Sequence, residues 1–291
     1  MVLSRLGLAG LVSFLAAAPL SESHVLCKGF LPENDLKIPV SVFQKGGLTE
    51  AQFNEVLDKV EAYYTPVIAE LDATLVVNRD WEDPTVNASA NQSGNRYVIN
   101  MYGGLARHET ITPEGFTLVA CHEIGHHIGG APKVSGWWNT WASNEGAADY
   151  FATLRCLRAV FPADENAKWA QAHEGEIDSV LKQRCEELYQ TQDEEILCMR
   201  SGMAGFSGAS LFHAMHEEET VPRFDTPDPS EVTETDDNHP ATQCRLDTYY
   251  QGGLCVHDMS VPLSDSDYTQ GTCTEASGHT VGLRPRCWFK P

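Results

Sequence analysis

The sequence predicts an α+β fold, mostly helical, with a small sheet and a disulfide-rich C-terminal tail. Three observations carry that expectation. Helix-period apolar segments with recognisable start signals run through the middle of the chain, and only two short runs are β-prone. Beyond His257 turn residues and cysteines dominate.

Taken in order, residues 1–23 read as a signal peptide. Arg5 gives a positive start, residues 6–18 an apolar core, and Ser21-Glu22-Ser23 a small-x-small cleavage site. That core is ~13 residues long, too short to span a bilayer. Val25-Leu26-Cys27 lacks the small residue expected before a lipidated cysteine. A helix is expected over residues 49–71, then strands near 75–78 and 97–101. Asn87 and Asn91 each open a glycosylation sequon. Thr112-Pro113-Glu114 starts a helix with a capping hydroxyl and a proline in the first turn, and Gly129-Gly130 ends it. Ser143 or Asn144 can cap a second helix whose Ala148, Phe151, Ala152 and Leu154 suggest burial. Further helices are expected near 166–189, 193–199 and 207–218, and another starting near Arg245. The acidic stretch 217–237, with Pro222, Pro227 and Pro229, reads as an exposed connector more than a flap. The chain divides into the signal peptide, one catalytic domain over 24–256, and a tail over 257–291 packed on it.

The chemistry sits in the first of the two central helices. His122-Glu123-Ile124-Gly125-His126 puts two imidazoles four apart, on one helix face, where both can reach one metal ion. Glu123 is close enough to touch metal-activated water without ligating. A catalytic zinc takes three protein ligands and keeps a fourth position open. The continuation with a histidine six residues on is excluded, because that place holds Pro132. Asn144-Glu145-Gly146-Ala147-Ala148-Asp149 supplies the alternative. Glu145 is far enough downstream for a turn and an antiparallel helix, and Asp149 shares its face, placed to accept from a ligand histidine. His127 reads as a packed histidine.

The chain resembles the gluzincin metallopeptidases that include the CAAX prenyl proteases and the HtpX-type heat-shock proteases. The resemblance rests on Asn87-Ala88-Ser89-Ala90, a strand running into Gly103-Gly104-Leu105, HExxH at 122–126, Glu145-Gly146-Ala147-Ala148-Asp149, and His239-Pro240 followed by Arg245. These occur in family order over roughly residues 50–250. The resemblance implies a zincin-like domain holding one zinc ion. It also implies that the strand Tyr97, Val98, Ile99, Asn100 and Met101 borders the cleft as an edge to which an extended peptide adds. It points to His239 and Arg245 as groups that stabilise the oxyanion, which HExxH and ExxAD do not supply. The membrane spans and prenyl-protein substrates of some members are not carried over.

Nine cysteines fit an exported protein in an oxidising compartment, periplasmic or secreted. Cys121 is the expected free thiol. Cys244–Cys255 and Cys273–Cys287, the nearest pairs in the tail, are the expected bridges. A net charge of −21 argues against nucleic acid or an anionic membrane as partner. The expected activity is that of a zinc metalloendopeptidase acting on unfolded or extended polypeptide. The alternative is a zinc-stabilised binding or adhesion protein, against which stands the lack of a fourth protein ligand.

Overall fold

The computed structural model describes residues 29–40, 46–135, 141–216 and 218–291. The proposed signal peptide and Cys27 lie outside the described residues. Helix α1 (Glu50–Ala69) is started by a capping box between Thr49 and Gln52. It buries Phe53, Val56, Leu57, Val60, Tyr64 and Ile68, the three- and four-residue recurrence of a one-sided helix. Three strands follow, β1 (Thr74–Asp80), β2 (Ala88–Ser93) and β3 (Arg96–Tyr102), in the order β1-β3-β2. β1 runs parallel to β3 and β2 antiparallel.

This order corrects one expectation. Tyr97, Val98, Ile99, Asn100 and Met101 lie in the central strand, paired on both sides, so they have no free edge to offer a peptide. The edge nearer the metal-motif helix is β2, which periodicity did not announce because its Ala-Ser-Ala-Asn-Gln-Ser run is small and polar. Cross-strand bonds hold it: Asn100 donates to Ser89 Oγ and to Asn91 Oδ1, both at 3.0 Å.

A single turn, α2 (Gly103–Ala106), leads to α3 (Pro113–Ile128), capped by Thr112. α3 is buried nearly all round because α1, β2 and the later helices surround it. α4 (Glu145–Phe151) continues through a π-helical turn (Ala152–Cys156) into α5 (Leu157–Val160). Gly125 lets α3 and α4 approach, since a side chain there would meet the Ala148 backbone at 3.0 Å. The helix expected over 166–189 is two, α6 (Ala163–Ala172) and α7 (Ser179–Leu188). The pair expected at 193–199 and 207–218 is one, α8 (Gln192–His216). Its Gly202, Gly205 and Gly208 are contact points: a Cβ would meet Leu181, Tyr249 and Leu118 in turn. α9 (Thr242–Leu254) packs on α8 and α4.

Four disulfides tie the elements, and they revise the expected pairing. Cys121 is bonded to Cys156, so it is not a free thiol. The tail bridges are Cys244–Cys287 and Cys255–Cys273, crossing over the pairs nearest in sequence, with Cys185–Cys198 as the fourth. Sequence distance misleads here because α9 carries Cys244 and Cys255 at its two ends, too far apart to bond. Together these bridges use eight of the chain's nine cysteines; the ninth, Cys27, is outside the described residues. The tail packs Trp288 fully buried against Gly146, and the acidic connector pairs with it through Val232 and Asp236. Among the described residues no helix is long and apolar enough to cross a membrane.

Candidate metal centre

His122 and His126 project from α3 toward Glu145 at the first turn of α4. The first residue of that helix is fixed by Asn144, whose side chain accepts from the Ala147 amide at 2.9 Å. Asn144 is itself held by the connector, donating to the Asp236 carbonyl and to Asp237. The acidic segment therefore braces the helix start that presents Glu145.

The hydrogen bonds of the two histidines fix their tautomers. His126 Nδ1 faces the Ser143 carbonyl at 2.9 Å and His122 Nδ1 faces Asp149 Oδ1 at 2.7 Å. Both acceptors carry no proton to give, so both Nδ1 atoms donate, and the two Nε2 atoms are turned toward one another. Those two Nε2 atoms lie 3.0 Å apart, with Glu145 oxygens 3.3 Å from one and 3.8 Å from the other. Three ligand atoms thus converge within 4.8 Å, all buried. Two imidazole nitrogens and a carboxylate so grouped could hold a metal ion. The electrostatics couple the three groups to one another. Burial alone would lower His122, yet Asp149 and Glu145 hold its pKa up to about 9. Burial would raise Glu145, but His126 and His122 draw it well below the carboxylate range.

Glu123 lies beside this triad, fully buried, with neither carboxylate oxygen hydrogen-bonded among the described residues. Burial pushes its pKa up to about 8, with Glu145 adding to the effect. His239 reaches the triad from the loop before α9, Nε2 3.4 Å from Glu145 Oε2 and 2.8 Å from the Gly29 carbonyl. A carbonyl only accepts, so Nε2 carries the proton, and burial lowers this imidazole's pKa and keeps it neutral.

Arg245 is placed differently from the expectation. It is fully buried on α9 and donates to Asp149 Oδ1 at 2.6 Å and to the Phe30 carbonyl at 2.9 Å. It orients the carboxylate behind His122. Tyr249, one turn further along α9, donates to the same oxygen at 2.8 Å. Nothing in the sequence singled out Tyr249; its spacing from Arg245 was the available sign. His127 is packed as expected, stacked between Tyr97 and Trp141 at 4.7 Å each, with Nε2 at the Val98 carbonyl. Also unforeseen are Gly29 and Phe30, which enter the site from the N-terminal side with no motif to mark them. No family model, curated protein or solved structure matches the chain.

Proposed function

We propose that this chain is an exported zinc metalloendopeptidase of zincin-like fold, with one zinc ion held by His122, His126 and Glu145. The observation that carries the reading is the convergence of ligand atoms from His122, His126 and Glu145 beside the buried Glu123 carboxylate, which has no hydrogen-bond partner among the described residues. Zinc in that position supplies Lewis acidity, polarising a peptide carbonyl and lowering the pKa of water to ~7. Glu123 accepts the water proton and returns it to the leaving amine. His239 Nε2–H donates to the developing oxyanion. Asp149 holds His122 in its tautomer and makes it a better donor, while Arg245 and Tyr249 hold Asp149. The substrate is an extended or unfolded polypeptide, with β2 as the sheet edge beside the site. Four disulfides agree with an oxidising compartment.

The test is zinc content together with casein hydrolysis, with and without a chelator, in wild type and Glu123→Gln. One zinc per chain, chelator-sensitive hydrolysis, and a zinc-replete but inactive variant are expected. A metal-free active protein, or a variant that keeps most of the activity, refutes the assignment.

A further inference from the structure

Residues 29–31 lie beside the triad with successive main-chain groups matched one by one. The Gly29 carbonyl accepts from His239 at 2.8 Å, and the Phe30 amide donates to the Ala88 carbonyl of β2 at 2.9 Å. The Phe30 carbonyl accepts from Arg245 at 2.9 Å. The Leu31 amide and carbonyl pair with the Asn87 side chain at 2.9 and 3.1 Å. These are the bonds a sheet edge and a catalytic site make to a peptide irrespective of its sequence. The Phe30 side chain is fully buried, its ring edge-on to His122 at 5.2 Å and to Phe212 at 5.3 Å, under the Arg245 guanidinium. Gly29 has φ +97°, and a Cβ there would lie 2.7 Å from the Ala88 carbonyl oxygen, so glycine alone suits this approach.

We infer that residues 29–31 occupy the protein's own cleft in the register of a substrate, and that Gly29–Phe30 is the first peptide bond the enzyme cuts. The inference rests on the peptidase reading above. Water adds to the Gly29 carbonyl carbon, whose oxygen already faces His239 Nε2–H. Glu123 takes the proton from that water and delivers it to the Phe30 nitrogen as the C–N bond breaks. The products are a carboxylate at Gly29 and a new amino terminus at Phe30. That terminus stays tethered, because residues further on pair with the segment before β2: Val86 donates to the Leu36 carbonyl at 3.3 Å and Ile38 to the Pro84 carbonyl at 2.8 Å. The full-length chain is thus self-occluded. The pocket filled by Phe30 also selects a large apolar residue on the amine side of a bond cut in other proteins.

The full-length chain and its Glu123→Gln variant, both purified with zinc, are analysed by intact mass and N-terminal sequencing while casein hydrolysis is followed in parallel. A wild-type chain beginning at Phe30, and a variant retaining Gly29, are expected. In the metal-free variant the Phe30 and Leu31 amides should be protected from hydrogen exchange, a readout independent of turnover. A wild type that digests casein with Gly29–Phe30 intact overturns the inference and leaves the peptidase reading standing. Cleavage at that bond in Glu123→Gln as well, or fast exchange at both amides, also overturns it. A chain that cuts neither itself nor casein removes both.

Discussion

Asp149 and Glu123 are both fully buried carboxylates within one site, yet they are surrounded in opposite ways. One oxygen of Asp149 takes bonds from His122, Arg245 and Tyr249. Burial opposes its ionisation, but Arg245 and His122 outweigh burial and hold its pKa below the usual range. Glu123 has no hydrogen-bond donor among the described residues, and burial leaves its pKa raised to about 8. On the proposed reading, the difference separates an anchor from a working group. A carboxylate meant to fix a ligand gathers donors, three of them on Oδ1 here, whereas one meant to move protons is left without them.

Exchanging each carboxylate for its amide tests that contrast most severely. Glu123→Gln should lower kcat by on the order of 10²–10⁴. It should change unfolding free energy by less than about 1 kcal/mol, since no protein bond is lost. Asp149→Asn leaves Arg245 buried without a counter-charge, and should destabilise the metal-free protein by about 3–5 kcal/mol. It should also weaken metal binding by about 10–100-fold. Urea unfolding with chelator present, and zinc titration of both variants, give the comparison. Equal losses of stability would show that Glu123 is an anchor too.

The site was legible where a local rule governs it. The spacing of His122, His126, Glu145 and Asp149 is helix periodicity, and helix starts at Thr112 and Asn144 are local hydrogen-bond chemistry. What failed were relations across the chain. Which strand is central is set by how three strands assemble, so Tyr97 to Met101 was misplaced at an edge. Arg245 and Tyr249 meet Asp149 across roughly a hundred residues, and Phe30 meets His122 from the far N-terminal side. The one long α8 was missed because its glycines were seats for neighbouring side chains, which no periodicity in α8 itself records.

The pairing of Cys121 with Cys156 bears on the same comparison, because it ties the helix carrying Glu123 to the turn that follows Asp149. Closing a loop of that sequence separation, 35, should contribute about 3–4 kcal/mol, chiefly through the unfolded chain. Cys121→Ala with Cys156→Ala should therefore lower the urea midpoint while leaving zinc stoichiometry intact. If zinc is lost as well, the bridge sets the distance between the two helices and is more than a constraint on the unfolded state.

Asp247 supplies an intermediate case and the smallest expected effect. It sits on the face of α9 away from Asp149, accepting from the Asp228 amide at 2.7 Å and from Gln243 at 2.8 Å, with no cationic side chain bonded to it among the described residues. Burial pushes its pKa up to about 6, and the two neutral donors offset this only in part. An unfolded aspartate titrates near ~3.9, so between the two values the folded protein holds a proton that the unfolded chain has released. Above about pH 6 both states are ionised, and the folded one carries a buried charge at a net cost. That cost vanishes as pH falls through the folded pKa toward the unfolded one, so Asp247 destabilises at pH 7.5 and not at pH 4. Asp247→Asn removes the charge at every pH and loses an acceptor at every pH. The loss is constant, and only the charge contribution varies. Relative to wild type, the variant should gain about 1–2 kcal/mol between pH 4 and pH 7.5, allowing for the partial solvent contact of the group. Urea unfolding of both proteins at four or five pH values reads that slope. A difference independent of pH would mean that two neutral donors suffice to hold a buried carboxylate at its ordinary pKa, and the arginine at Asp149 would then owe its place to orientation alone.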